Sequence, residues 1–237
     1  MKFFRKKDST VVDFLKKARK FDSFESAKYE EIISYLMENC SLVEAKKLGL
    51  KLAVISDTHG DLAFGEKFRK FMLNIEEYDL CIVLGDVSTY ELDKITELVP
   101  INKIIALRGN HDRFDVYHKH GITNINGKVY TCKGIRIAGI EGSNRYKNEK
   151  YPLYTHYESL KLAYDMPQKA DILISHDCIF TESKYDKAHE GMAGLSYYVY
   201  KNNVMYHIHG HIHKSYRSNY PNGTEEISVY GCEYIEI

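Results

Sequence analysis

From Lys51 onward, short apolar runs alternate with amphipathic stretches, and few folds accept that order. Leu52–Ser56, Leu80–Leu84 and Lys103–Leu107 are apolar runs of strand length. Phe64–Ile75 and Glu91–Leu98 lie between them with helical spacing. Strand, helix, strand, helix, strand implies right-handed crossovers and a sheet covered on both faces. Val129–Cys132 and Ile135–Ile140 read as a hairpin closed at Lys133-Gly134. Thr155 with Glu158 forms a capping box for a helix that Pro167 ends. Ile172–Ser175 is a further buried strand, and Leu195–Tyr200 a further helix. Strands near Val204–Ile208, Ser215–Asn219, Glu226–Tyr230 and Glu233–Ile237 complete the series, with a turn at Pro221-Asn222-Gly223.

Upstream of Lys51 the character changes. Residues 1–20 carry eight basic and two acidic side chains, although the whole chain balances 33 of each sign. Zero net charge argues against bulk electrostatic binding of nucleic acid. The local basic stretch, interleaved with Phe3, Phe4, Val11, Val12, Phe14 and Leu15, has two readings. It is a segment that touches nucleic acid, anionic lipid or a partner, or it is a leader helix packed on the surface. Residues 24–38 read as a helix, and Ser41 with Glu44 as the cap of a short helix that stops at Gly49. A strand follows at once, so no recognition helix fits there. Residues 1–48 are therefore expected to be a helical extension to a domain over 49–237. The five Cys are odd in number and form no CxxC pair, which suits a reduced, cytoplasmic chain. No apolar run reaches the length of a membrane span, so no integral membrane contact is expected.

Polar residues gather just after the strand ends, where α/β sheets build their sites. Five clusters stand out: Asp57-x-His59, Gly85-Asp86, Gly109-Asn110-His111-Asp112, Ser175-His176-Asp177 and Gly210-His211-x-His213. Asp, Asn and His are hard or borderline ligands, and no thiolate joins them, so the set suits a divalent transition metal and not a structural zinc. The set is large enough for two ions if one carboxylate bridges them. Two ions roughly 3.5–4 Å apart can hold a phosphate, make hydroxide at neutral pH and steady a leaving oxygen. Hydrolysis of a phosphate ester is the reaction this chemistry suits best. Ser175-His176-Asp177 is no protease triad, because triads are assembled in space. Arg108 has two readings, a bidentate phosphate binder or a surface salt bridge.

The ordered set of clusters resembles the calcineurin-like metallophosphoesterase superfamily over residues 51–237. The stretch Gly139-Ile140-Glu141-Gly142-Ser143, with Tyr146 and Tyr154, is similar to its smaller bacterial and phage-type members. The resemblance implies a four-layer αββα sandwich: two mixed sheets flanked by helices, here with the N-terminal helical extension. It implies that Asp57, His59 and His213 hold one metal, that Asn110, His176 and His211 hold a second, and that Asp86 bridges both. His111 would protonate the leaving oxygen, with Asp112 as its support, while a metal-bridging hydroxide attacks phosphorus in line. Mn²⁺ or Fe would be the ions, with Zn²⁺, Ni²⁺ or Co²⁺ as substitutes. The protein Ser/Thr phosphatase branch places an Asp-Arg pair after Gly-Asp, where this chain has Thr89 and Tyr90, so a protein phosphatase is not expected. A diester or nucleotide is the expected substrate. The alternatives are a nuclease on single strands, helped by residues 1–20, and a scaffold that keeps the fold without catalysis.

Other residues give smaller expectations. His207 belongs in the core or behind the ligands, and His209 at the pocket rim. His118, His120, His156 and His189 have no motif around them and are expected at the surface. Tyr146, Tyr151, Tyr154 and Tyr157 either line a base-stacking pocket or pack ordinarily. Substrate identity, metal identity and oligomeric state are not written in these motifs.

Overall fold

The computed structural model describes residues 9–18, 27–61, 65–148, 152–181 and 186–237. Phe3, Phe4, Phe24, Phe64, Tyr151 and the basic residues 2–7 and 19–20 lie outside them. Seven helices and thirteen strands are formed by the described residues.

Period-two burial along the strands generates the layers. In β1 (Lys51–Ser56), Leu52 and Val54 face one way, and Ala53 and Ile55 the other. β1 pairs in parallel with β2 (Leu80–Val83), which pairs in parallel with β3 (Ile104–Ala106) and through it with β4 (Thr123–Asn124). The last strand of the chain, β13 (Gly231–Glu236), closes the other edge antiparallel to β1. The second sheet runs β11-β12-β10-β9-β6-β5. Its parallel centre is β6 (Ile135–Ile140), β9 (Ile172–Ser175), β10 (Tyr206–His209) and β12 (Glu225–Ser228). Antiparallel β5 (Val129–Cys132) and β11 (Tyr216–Asn219) flank it. Lys133 and Gly134 both take positive φ, as the two-residue β5–β6 turn requires.

Three apolar clusters fill the spaces between layers. Leu52, Val54, Ile82 and Ile105 meet Ile137, Ile174, Ile208 and Ile227 between the two sheets. Ala53, Ile55 and Val83 meet α3 (Gly65–Met72) and α4 (Thr89–Leu98) on one outer face. On the other outer face Ala138, Ile140 and Leu173 are covered by α6 (His156–Asp165) and α7 (Ala193–Asn202). α1 (Ser9–Ala18) and α2 (Ala27–Glu38) join this last layer through Val11, Leu15, Tyr29, Ile32 and Leu36. The expected αββα sandwich is thus present. Of the basic N-terminal stretch the described part is α1, which buries Val11, Leu15 and Ala18. Among the described residues no helix is long and apolar enough to cross a membrane.

One expected helix is absent. Residues 40–50 form no regular element despite the Ser41–Glu44 signal. Their backbone groups are taken elsewhere: Val43 N–H donates to Asn222 O (2.7 Å), Leu50 N–H to Ile237 O (3.0 Å), and Lys46 O accepts from Tyr206 Oη (3.2 Å). A helix this short is marginal by itself, so long-range hydrogen bonds outweigh the local cap. The capping boxes at Ser88–Glu91 and Thr155–Glu158 do form, because the helices they open also bury an apolar face.

Leu160 in α6 is fully buried in the cluster that unites α1, α2, α6 and α7 with the second sheet. Leu160→Ala is expected to cost about 2–5 kcal/mol of stability, read by urea denaturation.

Candidate metal centre

The five clusters converge at the C-terminal ends of parallel strands from both sheets. Asp57 follows β1, Asp86 follows β2 and Asn110 follows β3; His176 follows β9, and His211 and His213 follow β10. Backbone bonds stitch these loops together. Asp57 N–H donates to Gly85 O (3.0 Å), His59 N–H to Asp86 O (2.9 Å) and Gly210 N–H to His176 O (3.0 Å).

Asp57 sits at the middle and is fully buried. Its Oδ2 accepts from Ser56 Oγ (2.5 Å) and from the His211 N–H (2.7 Å). Its Oδ1 is buried with no hydrogen-bond partner, yet lies 3.4 Å from His213 Nε2 and 3.9 Å from His176 Nε2. Burial alone would raise its pKa, but His176, His213, Ser56 and the His211 N–H hold the carboxyl well below the usual range. It is an anion facing imidazoles. In geometry Asp86 is placed alike: Oδ1 takes the His111 N–H (2.9 Å), while Oδ2 lies 3.9 Å from His59 Nε2 and 3.6 Å from His176 Nε2.

The imidazoles present lone pairs to this space. His176 Nδ1 is 2.8 Å from the Leu84 carbonyl, and His211 Nε2 is 2.8 Å from the Ala188 carbonyl. A carbonyl only accepts, so those nitrogens carry the proton and the opposite ones are left as ligand atoms. His176 Nε2 stands 2.9 Å from Asn110 Oδ1. Two acceptors that close need a proton or a metal ion between them. His59 Nε2 and His213 Nε2 are 3.4 Å apart, close enough for one ring to donate to the other or for both to hold one ion. Two groups meet a metal's spacing: Asp57, His59 and His213, partly open to solvent, and Asp57, His176 and His211, buried. The orphaned Asp57 oxygen and these paired acceptors fit divalent cations.

Asp57, His59, Asp86, His211 and His213 all adopt φ between 49° and 66°. Left-handed backbone at non-glycine residues is strained, and its concentration here marks a site held by its surroundings. Glycines make room for it. A Cβ on Gly210 would lie 1.9 Å from Ser56 Oγ and 2.4 Å from Asp57 Oδ2; one on Gly109 would lie 2.1 Å from Asp86 Oδ1.

Several expected roles move. Arg108 makes a salt bridge, buried and not at the surface: its guanidinium is forked onto Glu141, with Nε on Oε2 at 2.8 Å, and it donates to Phe114 O at 3.1 Å. Asp112 does not touch the His111 ring. Its Oδ2 accepts from Gly109 N (2.9 Å), Asp86 N (3.0 Å) and Tyr117 Oη (3.1 Å), clasping the two metal-facing loops. Burial and the neighbouring Asp86 charge push its carboxyl up to about 6. His111 stands exposed at the rim, its ring edge-on to His59 at 5.6 Å. His209 is not at the rim: it is fully buried, with Nε2 on Glu226 Oε1 at 3.0 Å. His207 is in the core as expected, between Ser175 Oγ (2.7 Å) and Tyr220 Oη (2.8 Å). His156 is buried and not at the surface. His189 is half-buried, its ring 4.8 Å from that of His211. Tyr146 reaches the centre, with its hydroxyl 3.3 Å from Asn110 Nδ2, and Tyr154 bonds Asn126 and Glu141. Ser175 and Asp177 form no triad with His176: Ser175 Oγ donates to Asp177 O (2.6 Å), and the Asp177 carboxylate takes backbone N–H groups of Asn144 and Cys178.

Residues 50–227 match the calcineurin-like phosphoesterase superfamily domain. The chain belongs to that superfamily, whose members depend on metal, and it is a hydrolase of phosphate esters. The phosphopantetheinyl hydrolase of Mycobacterium tuberculosis shares its fold at 17% identity and a TM-score of 0.55, over 78% of this chain and 91% of that one. The protein TT1561 of Thermus thermophilus does so at 13% identity and a TM-score of 0.50, over 79% and 98%. At such identities the likeness is one of fold. No curated protein matches the sequence.

Gly210→Ala is expected to abolish retention of metal while the far-ultraviolet circular dichroism stays native, as read by metal analysis after gel filtration. Glu226 gives a pH expectation. Burial opposes its ionisation, but His209 and Ser218 hold its carboxyl down to about 2, from an ordinary 4.5. A depressed acid stabilises fully above its unfolded value, and the contribution fades as pH falls toward the folded one. Stability should therefore drop between about pH 4.5 and 2, and Glu226→Gln should flatten that slope in urea melts across the range.

Proposed function

We propose that this chain is a dinuclear metal-dependent phosphoesterase acting on phosphodiester or nucleotide-type substrates. The observation that carries the reading is the buried, unpartnered oxygen of Asp57, which follows a strand of the first sheet and faces His176 and His213, which follow strands of the second. Asp57, His59 and His213 would hold one ion, and Asn110, His176 and His211 the other. Asp86 would span both, since its Oδ2 faces one imidazole of each group. Bound there, the ions supply an activated water and neutralise charge on the phosphoryl oxygens. Nitrogen and oxygen donors without thiolate suit manganese or iron, with zinc, nickel or cobalt as substitutes.

His111 is the proton donor in this reading. Its backbone is pinned to Asp86 and its ring is open to solvent beside His59, where a leaving oxygen can reach it. A positioned donor is worth about 10²–10⁴ in rate. The Asn110 amide would turn from Tyr146 toward a phosphoryl oxygen. Arg108 is committed to Glu141, so it adds no positive charge for a monoester dianion, and this favours the less charged diester. Thr89 and Tyr90 open α4 and supply neither acid nor cation. All five cysteines are free, which suits the cytoplasm. The nuclease alternative has less support, because α1 buries Val11 and Leu15 in the core.

Hydrolysis of bis-p-nitrophenyl phosphate and p-nitrophenyl phosphate with Mn²⁺ tests this. Asp86→Asn is expected to fall to background and to lose metal. His111→Ala should lower kcat by about 10²–10⁴ with metal content unchanged. Metal binding by the wild type without turnover of either ester would replace the enzyme with the scaffold.

A further inference from the structure

Beside the buried half of the metal centre lies a pocket of about 100 Å³. Residues Asn144–Tyr146 form one wall, and Lys187 and Glu190 the other. Thr155 and His156, at the start of α6, form the back. Two contacts join it to the centre. Tyr146 Oη is 3.3 Å from Asn110 Nδ2, and the Ala188 carbonyl, next to Lys187, is 2.8 Å from His211 Nε2. The pocket is thus a single residue away from two of the side chains assigned to the second ion.

Its back wall is unusual. His156 is only 2% exposed, and its Nδ1 has no hydrogen-bond partner. Its Nε2 is 3.7 Å from Glu190 Oε2, beyond hydrogen-bond range. The ring is wedged between Tyr29 of α2, at 5.1 Å, and Phe180, at 5.0 Å. A buried polar atom left unpaired is costly, and a ligand atom that pairs with it removes the penalty. Charges around the pocket are matched: Lys187 Nζ with Glu190 Oε1 at 3.0 Å, and Arg145 with Glu158 at 2.8 Å. Glu190 Oε2 also accepts from Asn144 Nδ2 at 3.2 Å. The lining holds two cations, Arg145 and Lys187, and one anion, Glu190, but each cation already faces a carboxylate, Arg145 that of Glu158 and Lys187 that of Glu190. A second phosphate is therefore a poor match, and a neutral ring edged with hydroxyl or amide groups is a good one.

The geometry points to this pocket as the subsite for a neutral, hydrogen-bonding ring of the substrate, a sugar or a pyrimidine-sized base, whose phosphate lies at the metal centre. The inference rests on the phosphoesterase reading above. It also gives the N-terminal helices a task, since Tyr29 backs the His156 ring.

Release of p-nitrophenol is compared for three diesters with Mn²⁺: thymidine 5′-(p-nitrophenyl phosphate), ribose 5-(p-nitrophenyl phosphate) and bis-p-nitrophenyl phosphate. The wild type is expected to favour the thymidine ester over the bis-aryl ester by about tenfold or more in kcat/KM, chiefly through KM. Retention of that preference by the ribose ester identifies the sugar as the recognised ring; its loss identifies the base. His156→Leu and Lys187→Met should each cut the preference at least about fivefold, and Lys187 is exposed enough that its replacement leaves folding intact. No preference in the wild type, or one that survives both substitutions, overturns the subsite. Should no ester turn over, the phosphoesterase reading fails separately. Saturation-transfer NMR with thymidine then decides the pocket: a transfer signal that disappears in His156→Leu upholds it, and no signal in the wild type ends it.

Discussion

The Asp57 carboxylate ties the two sheets together at their working end. It rises from β1 in one sheet, and its Oδ2 takes the backbone N–H of His211, which follows β10 in the other. Its second oxygen faces the imidazoles of both groups. Remove the carboxylate and two loops lose their common anchor, and both candidate metal groups lose the acid they have in common. The sandwich exists without this contact, because the apolar clusters between layers are extensive. The relative placement of the two sets of loops depends on it.

Around that anchor the protein uses its charged residues twice over. Asp112 and Arg108 look catalytic by their position in Gly109-Asn110-His111-Asp112 and just before it. Both hold the loops in place: Asp112 accepts from two backbone N–H groups and a tyrosine, and Arg108 is forked onto the Glu141 carboxylate and donates to the Phe114 carbonyl. The division is physical. A ligand atom needs a direction that no hydrogen bond fills, as Asp57 Oδ1 has, whereas Asp112 Oδ2 and the Arg108 guanidinium are filled.

Much of this was legible in the residue order. Strand runs such as Leu52–Ser56 and Ile172–Ser175 are buried on both faces, so their apolar continuity reads directly. The residues of the candidate site could be grouped because each cluster follows such a run. What stayed illegible depended on long-range contacts. The Ser41–Glu44 cap gave way to bonds with Asn222 and Ile237, which no local rule contains. His209 and His156 look like any other histidine until their neighbours Glu226, Tyr29 and Phe180 are brought up by the fold. The glycines of the motifs did carry a signal: Gly109 and Gly210 announce that a side chain must approach the backbone closely, though not which one.

The left-handed conformation of five of the seven metal-facing residues has an evolutionary consequence. Glycine would relax the backbone at each of those positions, but at Asp57 and Asp86 it would also remove a carboxylate that holds the His211 or the His111 N–H. Strain and anchoring therefore part company at the exposed His59 and His213. In a lineage freed from selection on the candidate site, those two histidines should drift to glycine before either aspartate does.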